Sequence, residues 1–187
     1  MRLKAPRIAP LGDADISAKR KEAFAAQFGG GPVFNIFLTL AKAPKAYQAF
    51  SRWGGYILSD DNSLPARERE LVILRTGFNW KSGYEWAQHV RIGKQCGLTD
   101  EEITRIKAGP DAPGWSGIDA ALLRATDELT ADAFVSDRTW AQLASLTEQQ
   151  RMDLVMTVGQ YTQVSMMLNT FGVQLDDDLT PDPDLAK

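Results

Sequence analysis

The sequence predicts an all-α fold, a single-domain helical bundle. Three observations support this prediction. Apolar residues recur at helical spacing along almost all of the 187 residues, no stretch shows the alternation of a β-strand, and helix-capping residues precede several apolar stretches. With 44% hydrophobic and 24% charged residues, the chain has the composition of a globular protein that is long enough to bury its own core.

Capping residues mark where the helices begin. Thr99 and Thr147 are each followed three positions later by Glu or Gln, which is the pattern of a capping box. Ser116 and Ser136 are further N-cap candidates, and each is followed by an acidic residue in the first turn. Gly109–Pro110 closes the segment that begins at Thr99, because neither residue continues a helix well.

These signals predict eight helices and one shorter helical piece, near 33–41. The eight helices span residues 15–28, 44–59, 65–79, 83–96, 100–108, 117–131, 137–145 and 148–171. The glycine-rich residues 29–32 form a break and no nucleotide-binding loop, because no strand precedes them and the Lys–Ser/Thr pair of a P-loop is missing.

The chain is expected to divide into an N-terminal helical extension (1–32), a helical domain (33–175) and an acidic tail (176–187). The tail has too few apolar residues for a core of its own. It is therefore expected to be loose or to lie on a neighbouring subunit.

Charge and cysteine content exclude several classes of protein. The net charge is −3, and the 21 basic residues are spread without a cluster, which argues against nucleic acid or an anionic membrane as a partner. No apolar run approaches the roughly 20 residues of a membrane span. Cys96 is the single cysteine, so an intrachain disulfide and a two-cysteine redox pair are excluded. The N-terminus lacks the apolar core of a secretory signal, and a cytoplasmic location is expected.

His89 is the single histidine, and it is the first candidate for acid/base chemistry near neutral pH. Glu85 stands four residues before it, so both side chains share a helix face. Glu70 lies on the apolar stripe of the preceding helix, where an acid needs a partner. Because the link between the two helices is short, they are expected to pack together and bring Glu70 towards His89.

Structural roles are the alternative for each of these residues. Glu85 could complete a capping box with Ser82, and His89 could be a hydrogen-bonded core histidine. Glu70 could pair with Arg67 or Arg75. One histidine with two carboxylates can hold a metal, but catalytic metals usually recruit further histidines, so neither a metal nor another cofactor is predicted.

Three segments, taken in order and spacing, resemble the carboxymuconolactone decarboxylase family, which is related to alkylhydroperoxidase D. They are Arg67-Glu68-Arg69-Glu70-Leu71-Val72-Ile73-Leu74, Tyr84-Glu85-Trp86-Ala87-Gln88-His89 and Gly97-Leu98-Thr99-Asp100-Glu101-Glu102-Ile103. The resemblance extends over about residues 33–172. It implies the alkylhydroperoxidase D-like bundle, assembly into trimers or hexamers, and pockets near subunit contacts.

The resemblance also assigns roles. Peroxidase members have a Cys-x-x-Cys pair where this chain has Ser82 and Glu85, and these residues cannot cycle between thiol and disulfide. Decarboxylase members have a glutamate four residues before the histidine. The resemblance therefore implies that His89 transfers the proton while Glu85 and Glu70 assist it.

The substrate is expected to be less polar than the charged lactone acid of the decarboxylase. Aromatic residues suggest this, and the predicted pocket residues are Phe34, Trp53, Ser82, Tyr84 and Tyr161.

Three hypotheses follow. The favoured one is a cofactor-free lyase or isomerase that performs acid/base chemistry on a small carbonyl, lactone or ring substrate. The second is a non-catalytic oligomeric binding protein of the same fold. The third is peroxidase or thiol chemistry through Cys96.

Overall fold

The structure is a computed structural model, and it describes residues 1–28 and 32–185. Its helices are α1 (Ala18–Phe28), α2 (Asn35–Leu40), α3 (Pro44–Leu58), α4 (Ala66–Asn79), α5 (Gly83–Gln95), α6 (Asp100–Ala108), α7 (Gly117–Asp132), α8 (Asp137–Gln142) and α9 (Glu148–Phe171). Two 3₁₀ turns, Asp13–Asp15 and Pro183–Leu185, lie near the ends. The described residues contain no strand, which confirms the all-α prediction. The predicted glycine-rich break falls largely on residues 29–31, outside the described residues.

The predicted helices are all present in the structure, with boundaries within three residues. The largest difference at a C-terminus is in α8, which ends at Gln142 where the sequence predicted 145. The chain continues there in tighter turns, in which the amides of Leu143 and Ala144 bond to carbonyls three residues back.

The central helix of the bundle is α4. Leu71, Val72, Ile73 and Leu74 are consecutive and fully buried, so α4 is covered on every side. It packs against α5, α6, α7 and α9. This position explains its uninterrupted apolar run, since a helix buried all round has no water-facing side.

The N-caps form as predicted at four of the five proposed positions. The side chains of Thr99, Ser116, Ser136 and Thr147 each accept a hydrogen bond from a backbone N–H in the first turn. The exception is Ser82, whose side chain makes no cap bond at the start of α5. The capping-box alternative for Glu85 is therefore wrong.

The acidic tail packs against its own chain, which corrects the expectation that it is loose or lies on a neighbouring subunit. Asp182 accepts hydrogen bonds from Lys107 Nζ at 2.7 Å and from Trp86 Nε1 at 3.1 Å. The terminal amino group of Met1 donates to the Leu185 carbonyl. Paired charges and the buried side chain of Leu185 hold this segment against the bundle.

Within residues 1–28 and 32–185, no helix combines the length and apolar character that crossing a membrane requires.

Candidate active site

Two glycines allow α4 and α5 to approach closely. A Cβ atom on Gly93 would lie 3.0 Å from Leu98 Cδ1 and 3.3 Å from Leu74 Cδ1. A Cβ atom on Gly77 would lie 3.4 Å from Glu85 Cγ. Because neither glycine has a side chain, the polar residues on the facing stripes of the two helices can meet.

The ring of His89 lies between two carboxylates. Its Nδ1 is 2.7 Å from Glu70 Oε2, and its Nε2 is 2.8 Å from Glu85 Oε1. All three residues are buried. The Nδ1 contact has hydrogen-bond geometry, whereas the Nε2 contact is close but poorly aligned, so Glu85 Oε1 has no directed hydrogen bond.

The two carboxylates favour the protonated form of His89. Burial alone would lower the pKa of His89, but the negative charges of Glu70 and Glu85 outweigh it and raise the pKa to about 10. The imidazole therefore carries a proton at neutral pH. With both carboxylates ionised, the group of three has a net charge of −1.

A cavity of about 270 Å³ opens onto His89 and Glu85, while Glu70 lies behind the ring and does not line it. The walls of the cavity are mainly apolar and include Phe34, Ile36, Phe37, Phe50, Ile92 and Val164. Tyr161 meets the His89 ring edge-on, with 4.9 Å between the ring centroids. The pKa of Tyr161 is raised by burial and then by the two carboxylates, so its hydroxyl stays protonated.

Of the five predicted pocket residues, the cavity is lined by Phe34, Tyr84 and Tyr161 but not by Trp53 or Ser82. Trp53 is 40% exposed and stacks on Tyr56. It therefore lies on the outside of α3. Ser82 is fully buried at the start of α5, beside Gly83, which is covered by Met1.

Sequence reasoning missed four polar residues that line the cavity: Gln27, Ser51, Gln88 and Gln160. Gln88 lies on α5 and is only 7% exposed. The tail covers it, and its Nε2 donates to Asp176 at 2.6 Å. Gln160 is one of four glutamines in α9, and the sequence does not show which of them faces the cavity. The available signal was its position four residues from both Met156 and Val164, on an apolar face of the helix.

The alternative partners proposed for Glu70 bind elsewhere. Arg67 pairs with Asp119 at 3.0 Å and also with Glu102, and Arg75 pairs with Asp127 at 2.6 Å. These arginines fasten α4 to α6 and α7. The partner of Glu70 is therefore His89.

Cys96 has no thiolate-stabilising environment. It lies partly exposed at the end of α5, and burial followed by the charge of Glu70 raises the pKa of its thiol. A raised thiol pKa reduces the thiolate fraction on which nucleophilic and redox chemistry depend.

The carboxylates contact opposite nitrogens of one imidazole, and so they do not converge on a common point. In the described part of the chain, no three His, Cys, Asp or Glu side chains form a group that could hold a metal ion.

The sequence model of the Carboxymuconolactone decarboxylase family matches residues 44–128. This match confirms the resemblance drawn from the sequence. The matched part, which is less than half of the chain, is similar to that family. It contains Glu70, Glu85 and His89. No curated protein matches the chain.

Solved structures of the same fold extend the likeness to nearly the whole chain. The alkylhydroperoxidase core of an uncharacterized peroxidase-related protein from Ralstonia eutropha is 20% identical, with a TM-score of 0.77 and coverage of 91% of this chain and 94% of that one. The debrominase Bmp8, in complex with 2,3,4-tribromopyrrole, is 13% identical, with a TM-score of 0.76 and coverage of 93% and 94%. A peroxidase-related protein from a Silicibacter species is 17% identical, with a TM-score of 0.74 and coverage of 95% and 92%. At such identities the likeness establishes the fold alone.

Proposed function

We propose that this protein is a cofactor-free lyase or isomerase that performs acid/base chemistry on a small carbonyl, lactone or ring substrate. The observation that supports this most is the position of His89 at the wall of an apolar cavity, between Glu70 and Glu85. Paired acid and base groups beside a cavity are the arrangement that proton transfer requires. Similarity to a family named for a decarboxylase supports the same class.

The three residues take different roles. Glu85 lines the cavity and has a carboxylate oxygen without a directed hydrogen bond, so it is the base that meets the substrate. His89 is the acid. Glu70 is a positioning residue, because it lies behind the ring and holds Nδ1.

The charges of these groups couple their proton transfers. A histidine with a pKa of about 10 is a poor proton donor at neutral pH. When Glu85 takes a proton from the substrate, one of the two negative charges beside His89 disappears. The pKa of His89 then falls, and the imidazolium becomes able to donate from Nε2.

For a carbonyl substrate, the C–H bond next to the carbonyl breaks, its proton passes to Glu85, and the electron pair moves onto the carbonyl oxygen. Protonated His89 donates a proton to that oxygen and gives an enol. Protonated Glu85 then returns its proton to a different carbon while His89 takes back the hydroxyl proton, and this completes an isomerisation.

A ring substrate also fits the size of the site. The structurally similar debrominase holds the five-membered ring of 2,3,4-tribromopyrrole. A cavity of about 270 Å³ has room for one substituted ring of this size. Disulfide-based peroxide reduction is not proposed, because Ser82 and Glu85 occupy the positions of the cysteine pair.

Deuterium exchange tests the proposal without knowledge of the natural substrate. Small cyclic ketones, lactones and enols are incubated with the protein in D₂O, and mass spectrometry measures the deuterium they take up. We expect exchange with at least one compound, and a loss of at least about 100-fold in its rate in His89→Gln and Glu85→Gln. Glu101→Gln, an exposed change of the same kind, should keep the full rate. Full exchange in either site variant contradicts the mechanism.

A binding protein without catalysis is the second candidate. It is favoured by the apolar walls and by the contacts that both nitrogens of His89 already make inside the protein. For such a protein, a ring compound would raise the melting temperature while no compound in the panel gained deuterium.

A further inference from the structure

We propose that the cavity selects an uncharged, largely apolar molecule that carries one hydroxyl or N–H group, and that Gln160 binds this group. This inference rests on the proposed function in that it takes the cavity to be the substrate site. It concerns binding, however, and is tested by binding alone.

Gln160 is a buried amide that lacks a partner. Its side chain lies on α9 and lines the cavity, and the residue is only 4% exposed. Its Oε1 has no hydrogen bond to the described residues. Buried polar atoms in proteins are nearly always paired, so an unpaired one that faces a cavity indicates that a bound molecule completes it. An amide oxygen requires a donor.

Two further polar atoms on the cavity wall lack aligned hydrogen bonds. Glu85 Oε1 is one of them, and it also accepts protons only. The other is Ser51 Oγ, which lies beside the Tyr47 hydroxyl. Gln160 Oε1 therefore requires a donor from the ligand and Ser51 Oγ can act in either sense, whereas Glu85 Oε1 already lies 2.8 Å from His89 Nε2.

The charge at the site opposes a negatively charged ligand. With both carboxylates ionised, Glu70, His89 and Glu85 together carry a net negative charge, and no lysine or arginine among the described residues lines the cavity. Arg69 is the nearby cation on α4, but its guanidinium donates to the backbone carbonyls of Leu58 and Ser59. A carboxylate in this cavity would lose its hydration, and the His89 imidazolium at the wall is already paired with two carboxylates.

The lining of the cavity favours an apolar body. Aromatic and aliphatic side chains from α2, α3, α5 and α9 surround it. Gly54 and Gly55 leave space on the α3 side, where a Cβ atom on Gly54 would come no closer than 3.6 Å to Gln160 Nε2. A ring can therefore lie against Gly54 with its polar substituent at the Gln160 amide.

A ¹⁹F NMR titration of the wild-type protein with three fluorinated rings of similar size tests the need for a donor and the exclusion of an anion. 4-Fluorophenol carries a donor, 4-fluoroanisole has none, and 4-fluorobenzoate is an anion. We expect 4-fluorophenol to bind, 4-fluoroanisole to bind about fivefold more weakly, and 4-fluorobenzoate not to bind at millimolar concentration. Tighter binding of 4-fluorobenzoate, equal binding of the two neutral rings, or no binding of 4-fluorophenol would each overturn the inference.

Two substitutions on α9 assign the effect to Gln160. Gln160→Leu should remove the preference for 4-fluorophenol over 4-fluoroanisole, and Gln160→Met provides a second variant of similar volume. Gln163→Leu, the same change at an exposed position, should keep the preference. A preference that survives in Gln160→Leu would show that another residue binds the donor. Because no step requires turnover, failure of the deuterium-exchange test would leave these results intact.

Discussion

At the scale of single residues, the arrangement around His89 is governed by charge. An isolated histidine in an apolar interior prefers to be neutral, because burial penalises its charged form. Two carboxylates in contact with the ring reverse that preference and raise its pKa. The group contains two carboxylates and one imidazolium, so its charges do not cancel. Loss of any one member therefore changes the protonation of the others.

Removal of Glu70 should lower the pKa of His89. In Glu70→Gln, the ring keeps a hydrogen-bonding partner at Nδ1 but loses one of its two negative neighbours, so the pKa should fall from about 10 by at least one unit. The measurement is the chemical shift of the His89 Cε1–H signal against pH, which needs no assignment because the chain has one histidine.

The control for this titration is Glu68→Gln, which changes a nearby carboxylate that pairs with Arg67 and does not contact His89. It should leave the titration unchanged. A wild-type pKa near 6.5, or equal pKa values in wild type and Glu70→Gln, would contradict the charge argument.

The sequence predicted which side chains point into the protein, but it did not predict which residues they contact there. Glu70 and His89 lie on the facing apolar stripes of adjacent helices. Their pairing is favoured because a buried acid and a buried base each need a polar partner. Gln88 and Gln160 have no such pattern. Their burial depends on the tail and on α3, which are distant in sequence.

At the scale of helices, the site depends on the close packing of α4 against α5. Gly93 allows this packing, since a side chain there would require Leu98 and Leu74 to move, whereas a Cβ on Gly77 would only reach ordinary contact with Glu85. Helix-interior glycine is unfavourable by itself. The close packing that glycine allows is what makes the distance between Glu70 and His89 short.

Gly93→Ala should therefore be destabilising, although alanine is the better helix former. Its Cβ would meet Leu98 Cδ1 at 3.0 Å, and overpacking of this kind costs about 1–3 kcal/mol in the free energy of unfolding. Chemical denaturation measures the effect. The control is Gly159→Ala on α9, where a Cβ meets nothing within 4 Å, and we expect that change to stabilise by up to about 1 kcal/mol. Stabilisation in both variants would disprove the packing argument.

At the scale of the whole molecule, the start of the acidic tail holds the cavity wall in place. Asp176 accepts hydrogen bonds from the Tyr84 hydroxyl at 2.6 Å, from Gln88 Nε2 at 2.6 Å and from the Asn35 backbone N–H at 2.8 Å. Tyr84 and Gln88 line the cavity, and Asn35 begins α2, which covers it. One carboxylate thus joins the start of the tail to α2 and α5.

Asp176→Asn should loosen this wall. The amide replaces one acceptor oxygen by a donor and removes the charge, so at least one charge-assisted bond is lost, at a cost of about 1.5–3 kcal/mol. Burial first and then Asp176 raise the pKa of Tyr84, so its hydroxyl remains a donor that needs an acceptor. Chemical denaturation measures the change. Asp177→Asn, at the exposed neighbour, should be neutral, and equal effects in the two variants would contradict this role.

Self-association stays a prediction at this scale. The resemblance implies trimers or hexamers, and α9 exposes Met152, Val155 and Met166 on one side while its other side is buried. We expect sedimentation velocity to give a trimer or a hexamer, and Met166→Glu to shift the distribution towards smaller species. The control is Glu148→Gln at the exposed start of α9, and a monomeric wild type at micromolar concentration would contradict the prediction.

The sequence by itself determined the helices, most of their boundaries, the family and the three residues around which the candidate site is built. These follow from local rules, because caps, helix breakers and apolar stripes act over a few residues along the chain. The tertiary structure alone decided that both carboxylates touch the same ring, that the tail folds back on its own chain, and that Gln160 faces the cavity while Trp53 does not. Such contacts join residues that are far apart in sequence, and which of them form depends on how all the helices pack at once.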